Sequence, residues 1–167
     1  TVRRLAAELE LRAEHEQLSY RDFLALLMAE EVAHRAQTRI ERSTRRARFP
    51  FLRSIEDFDF TFQSSVRLQL LGSYLGPELV SEGRSLVLAG PSGTGKTHLA
   101  VAIAYRAIQN GYEALFTSAA NLIESLSAAQ RQGQLPTQLA LYTHPHVLGI
   151  DEVGYLSVGD DAATLLF

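Results

Sequence analysis

The chain has 167 residues, 46% of them hydrophobic and 21% charged, and a net charge of −3. That is room for one generous domain, or for a compact domain with a small appendage. With no cysteine, disulfide frameworks, thiolate metal sites and cysteine nucleophiles are excluded. No run of about eighteen apolar residues suggests a membrane span, and the start lacks a charged-then-apolar leader, so a cytoplasmic, membrane-free protein is expected.

In chain order, Val2, Leu5 and Leu9 have helical spacing and predict a short amphipathic helix over 2–17. Ser19 with Asp22 resembles a capping box, which opens a second helix at Tyr20. Tyr20, Phe23, Leu24, Leu27 and Val32 repeat at threes and fours. This helix should reach the mid-forties and end before Pro50. Phe58, Phe60 and Phe62 alternate, which predicts an extended aromatic linker over 49–63 lying against a surface. A helix is expected over 64–75 and a short apolar strand over 85–89. After the glycine-rich run that follows, a helix is expected over 98–109, closed by Asn110-Gly111. Then come a strand over 114–117, a helix over 119–130 and a strand over 147–150. Strands alternating with helices predict an α/β fold with a parallel, doubly wound sheet. The expected division is a helical N-terminal domain (1–48), the aromatic linker (49–63) and a nucleotide-binding core (64–167). Thr1 in place of Met, and a halt at Leu166-Phe167 in mid-pattern, predict a fragment of a longer protein.

Gly90-Pro91-Ser92-Gly93-Thr94-Gly95-Lys96-Thr97 fits G-x-x-x-x-G-K-[ST] at every defined position. The glycines let successive backbone amides point into one hollow, and the following helix adds its positive N-terminus to the same point. Lys96, the one lysine of the chain, should reach the β- and γ-phosphates of ATP, and the Thr97 hydroxyl should ligate Mg²⁺. The His98 amide should approach the α-phosphate, its side chain packing or facing solvent. Val147-Leu-Gly-Ile-Asp151-Glu152 is an apolar strand ending in two acids. Asp151 should hold the Mg²⁺ directly or through water. Glu152 should polarise an attacking water. The adjacent acids favour ATP hydrolysis that drives motion over phosphoryl transfer to a small molecule, which needs a second pocket.

With Asp151-Glu-Val-Gly-Tyr-Leu156 beside the loop, the chain resembles the AAA+ ATPases of the DnaA/DnaC clade. Arg46-Ala-Arg-Phe-Pro-Phe-Leu-Arg-Ser-Ile-Glu-Asp-Phe-Asp-Phe60 brings it closer to one branch, the IstB-like transposition helpers of bacterial insertion sequences. The resemblance runs from about Ser19 to Phe167 and implies a P-loop NTPase core of AAA+ type. It also implies an ATPase that assembles on duplex DNA as a homo-oligomer, with ATP or ADP at subunit interfaces, and assists a partner transposase. Lys96 and Thr97 match the Walker A positions, and Asp151 and Glu152 match Walker B. The sensor and arginine-finger positions would fall beyond Phe167. A DnaC-like helicase loader, a small-molecule P-loop kinase and an assembly protein with little turnover are the alternatives.

Arg35, Arg39, Arg42 and Arg46 recur at i, i+4, i+7 and i+11, a stripe suited to phosphates of duplex DNA; Arg45, Arg48 and Arg53 extend the patch. A solvated face, or pairing with acids of a neighbouring subunit, would leave the same pattern. No aromatics interleave the stripe, so backbone contact is expected over base reading. Phe60 is a candidate neighbour of the adenine, against the simpler reading of linker packing. His144 and His146 lack further ligands of suitable spacing, and a metal site there is set aside. The Tyr20/Phe23/Leu27 face could dock a partner or serve an intrachain core.

Overall fold

The computed structural model describes residues 2–62 and 66–153. The expected start of a helix at 64, and Gly154-Tyr155-Leu156 of the acidic motif, lie outside them. Among the described residues are seven α-helices and two strands: α1 (Val2–Glu16), α2 (Tyr20–Arg46), α3 (Leu68–Leu75), α4 (Glu78–Ser81), α5 (Lys96–Gln109), β1 (Ala114–Ser118), α6 (Ala119–Arg131), α7 (Leu135–Thr143) and β2 (Val147–Asp151). None of these helices is long and apolar enough to cross a membrane. The chain divides into two compact units, residues 1–42 and 43–167.

In the first unit, α1 ends where Gln17 takes a left-handed φ of 51° and the Leu18 amide turns back to the Ala13 carbonyl at 3.0 Å. Ser19 then caps α2. Its Oγ accepts from the Asp22 amide at 3.2 Å and donates to the Asp22 carboxylate at 2.6 Å. This satisfies one of the free amides of the helix start and ties the Asp22 carboxylate to the cap. Leu9 is buried and Phe23 and Leu27 are half-buried, whereas Tyr20, Leu24, Met28 and Val32 face solvent.

The second unit is built around α5, whose Leu99, Val101, Ala102, Ile103, Ala104, Ala107 and Ile108 are all buried. Leu99, Ala102, Ile103 and Ala107 share a core with Ile55, Phe58, Leu71 and Leu79, while α5 also packs on both strands. The strands pair in parallel, Ala114 opposite Val147 through Ser118 opposite Asp151. Parallel strands need a long crossover, and α6 and α7 supply it. Ser118 closes β1 and starts α6 at once, its Oγ accepting from the Asn121 amide at 3.2 Å.

Three expectations need correction. Residues 85–89 form no strand among the described residues: a strand needs a hydrogen-bonded partner edge, and the described sheet pairs only β1 with β2. Leu88 packs on the core while Val87 is 87% exposed. The linker is not an extended stretch but two successive aspartate-capped turns. Asp57 accepts from the Ser54 amide (2.8 Å) and hydroxyl (3.0 Å). Asp59 accepts from the amides of Thr61 (2.8 Å) and Phe62 (3.1 Å) and from the Thr61 hydroxyl. The alternating rings therefore part company: Phe58 is buried, Phe60 half-buried and Phe62 exposed. Finally, α3 begins at Leu68, because Arg67 is extended (φ −103°, ψ 136°). Helices α4 and α7 had no counterpart in the sequence reading.

Candidate nucleotide site

The loop 90–97 runs directly into α5, which begins at Lys96. Gly95 is the N-cap, with a φ of 84°, a left-handed backbone that L side chains rarely adopt. It is also crowded: a Cβ there would lie 2.7 Å from Cε2 of Phe58. Phe58 thus floors the loop and sets how closely backbone can pass. The Pro91 carbonyl accepts from the Thr94 hydroxyl at 2.9 Å and from the Lys96 ammonium at 2.7 Å. Lys96 is thereby folded back over the loop.

At the next residue, the Thr97 hydroxyl donates to Oδ2 of Asp151 at 2.7 Å, from the start of α5 to the end of β2. The other Asp151 oxygen, Oδ1, accepts from the Glu152 amide at 2.9 Å. Glu152 has a φ of 59°, a strained backbone for a residue with a side chain, immediately after the strand ends. Its carboxylate makes no hydrogen bond or ion pair among the described residues. A small hydroxyl and a carboxylate at hydrogen-bond distance, in a half-buried position, are the oxygen donors that a hard divalent cation takes. Thr97 and Asp151 fit such a group.

His98 is tied to the linker. Its Nε2 lies 3.1 Å from the Ser54 carbonyl, and its ring meets Phe58 edge-on with centroids 5.2 Å apart. Its side chain therefore packs, and Asp57, which braces Ser54, supports the loop at one remove. That role of Ser54 and Asp57 escaped the sequence reading; Ser-x-x-Asp just before Phe58 was the available signal. Hydrogen bonds from the Ser54 amide and then its hydroxyl hold the Asp57 carboxyl below its ordinary pKa. The Thr61 hydroxyl, followed by the Phe62 and Thr61 amides, does the same for Asp59. Phe60 leans edge-on against Phe58 (4.8 Å) and lines an apolar cavity of about 540 Å³ with Leu68, Leu75 and Arg106. No loop residue lines that cavity.

The basic residues separate into distinct surroundings. Arg35, Arg39 and Arg42 are exposed on α2, and Arg35 pairs with Glu31 at 2.6 Å. In the second unit, Arg46 approaches Glu113 at 4.0 Å and Arg45 is exposed without an ion pair among the described residues. Arg48 stands past the end of α2, at a left-handed φ of 59°, and lines a cavity of about 550 Å³ shared with Asp151 and Glu152. His146 accepts from the Glu113 amide through Nδ1 at 3.2 Å, and His144 lies 3.8 Å from the Glu113 carboxylate.

The fold and site define a parallel α/β unit in which a glycine loop, a helix start and a strand-end acid converge. The chain belongs to the family described as IstB-like ATP binding protein, whose profile matches residues 2–167. It is 35% identical over 156 residues to a protein named for ATP binding in insertion sequence IS21 of Pseudomonas aeruginosa, covering 93% of this chain and 59% of that one. A counterpart in insertion sequence IS5376 of Geobacillus stearothermophilus is 34% identical, covering 90% of this chain and 60% of the relative. One from IS232 of Bacillus thuringiensis subsp. berliner is 32% identical with the same two shares, 90% and 60%. The chain therefore spans about three-fifths of the length of these relatives.

Proposed function

We propose that this chain is the ATP-binding part of an AAA+ type P-loop ATPase that assembles on duplex DNA and assists a transposase in the bacterial cytoplasm. The observation that carries the nucleotide reading is the 2.7 Å bond between Thr97 and Asp151. It brings the two expected Mg²⁺ ligands together beside the loop that would wrap the phosphates. Mg²⁺ supplies charge neutralisation at the β- and γ-phosphates when bound. The chain's own groups do the rest. Backbone amides of 90–97 and the N-terminus of α5 orient the phosphates. Lys96 exchanges the Pro91 carbonyl for phosphate oxygens, and Glu152 orients the attacking water and takes up its proton. Phe60 is the proposed neighbour of the adenine.

The family membership and the insertion-sequence names of the relatives support the transposition reading. The exposed arginines of α2 support DNA contact. Subunit interfaces holding ATP or ADP, in a homo-oligomer, complete the proposal.

The test is ATP hydrolysis and particle size of the full-length protein, with and without duplex DNA, at low and raised salt. DNA-stimulated turnover in large, salt-sensitive assemblies is expected. Lys96→Ala should abolish nucleotide binding, and Glu152→Gln should keep binding while trapping the assembled state. A Glu152→Gln protein that turned over at the normal rate would remove Glu152 as the base. A DNA-indifferent monomer that phosphorylated an added small molecule would replace the whole reading.

A further inference from the structure

The linker turn over 54–58 is fastened to α5 at two points. His98, in the first turn of the helix, reaches the Ser54 carbonyl through Nε2 at 3.1 Å. A carbonyl only accepts, so the ring carries its proton on Nε2. Arg106, about two turns further along α5, pairs with Glu56. Ile55 and Phe58, from the same turn, are buried in one cluster with Leu99, Ala102 and Ile103.

The turn also serves two neighbouring places. Phe58 lies against Gly95 of the loop, and it lines the apolar cavity that Phe60 lines too. One ring is thus a wall shared by the loop and the cavity. The His98 side chain makes its hydrogen bond and its ring contact with Ser54 and Phe58, both linker residues. Ser54 is in turn held by Asp57, which accepts from its amide and its hydroxyl. Asp57 therefore acts on His98 through a single residue.

We propose that His98 is a positioning residue that keeps the base side of the nucleotide site in register with the phosphate side. The role rests on reading 90–97 as the phosphate loop and Phe60 as the neighbour of the adenine. The phosphate side belongs to α5, whose start continues the loop, and the base side belongs to the linker turn. A nucleoside triphosphate touches both at once, whereas a bare inorganic triphosphate touches the loop alone. A linker unfastened from α5 must be ordered by each nucleotide that binds, which costs affinity that a fastened linker keeps. His98 therefore adds to the affinity for ATP and leaves the affinity for the bare polyphosphate as it is.

The experiment titrates the full-length protein with a non-hydrolysable ATP analogue and with inorganic tripolyphosphate, both with Mg²⁺. His98→Leu keeps a side chain to pack on Phe58 and loses the donor, while His98→Gln keeps a donor for the Ser54 carbonyl. His98→Leu should weaken the analogue about fivefold, the scale of one lost hydrogen bond, and leave tripolyphosphate unchanged. His98→Gln should match wild type with both probes. Asp57→Ala reaches the same contact from the other side and decides the matter if His98→Leu does not fold. It should show the same selective loss, and the double variant should lose no more than either alone. Equal weakening of both probes would make His98 a support of the loop only. That result, an unchanged analogue affinity, or a glutamine variant that behaves like leucine would overturn the proposal. If wild type binds the analogue no more tightly than tripolyphosphate, the adenine reading of Phe60 has failed, and the role of His98 falls with it. Binding of neither probe by wild type would instead remove the nucleotide reading itself.

Discussion

Thr97 donates its hydroxyl to Asp151 at 2.7 Å across 54 positions of sequence, joining the first turn of α5 to the last residue of β2. The bond fixes where the helix start sits relative to the strand end, so it is both a packing contact and a prearranged pair of oxygen donors. Removing the hydroxyl should therefore have two separable effects. Thr97→Ala leaves a half-buried carboxylate oxygen short of a donor and should cost about 1 kcal/mol in urea unfolding without nucleotide. It should also raise the Mg²⁺ concentration needed for half-maximal binding of an ATP analogue by about tenfold. Thr97→Ser should restore both. An unchanged Mg²⁺ requirement in Thr97→Ala would detach the hydroxyl from the cation.

Gly95 offers a test of the loop that separates backbone strain from steric contact. Alanine there meets a φ of 84° and a Phe58 carbon 2.7 Å from its Cβ. Together these should destabilise the protein by about 2–4 kcal/mol and weaken nucleotide binding strongly. Adding Phe58→Leu relieves the contact while leaving the φ as it is. The double variant should recover binding in part, and denaturant midpoints with analogue titrations would read both quantities. Full recovery would mean that φ at Gly95 carries no cost.

The linker turns should open in acid. Asp57 and Asp59 are held below their ordinary pKa by hydrogen bonds that only the charged carboxylates accept in full. Their contribution is therefore present above the unfolded carboxylate range and disappears as pH falls through the lower folded values. Amide exchange at Ser54, Thr61 and Phe62 should thus lose protection as pH drops below about 4. Asp57→Asn should remove the pH dependence at Ser54 and leave it in place at Thr61.

Much of the site was legible because its chemistry is local. The loop, the helix it opens and the acids that end an apolar strand each occupy a few adjacent residues. Whatever depends on register or on a distant partner was not. The apolar run 85–89 reads as a strand from composition, yet strand state is a property of the neighbouring edge. Phe58, Phe60 and Phe62 alternate as a strand would, but Asp57 and Asp59 bend the chain twice and send the rings to three environments. Gly149 reads only as a gap in an apolar run. Its reason emerges from the pairing of Phe116 with it, since a Cβ at Gly149 would lie 2.6 Å from Cδ2 of that ring. Arg48 joins an arginine-rich run in sequence but ends beside the acids at the strand ends, because Ala47 and Phe49 attach that turn to β1.

The arginines of α2 should contribute unequally to DNA affinity. Arg35 gives part of its guanidinium to Glu31 at 2.6 Å, whereas Arg39 and Arg42 are exposed without an ion pair among the described residues. A surface pair of this kind adds little to stability, but it competes with phosphate for the same donors and cancels part of the charge. Each arginine that neutralises a phosphate releases counterions, so its loss should flatten the plot of log affinity against log salt by about one unit. Arg39→Ala and Arg42→Ala should each do so, weakening binding of unrelated duplex sequences alike. Arg35→Ala should change the slope by less than half as much, and Glu31→Gln should strengthen binding by freeing Arg35. Binding isotherms at four salt concentrations would decide it. Equal slopes for wild type, Arg39→Ala and Arg42→Ala would take α2 out of the DNA interface and leave its arginines as a solvated face.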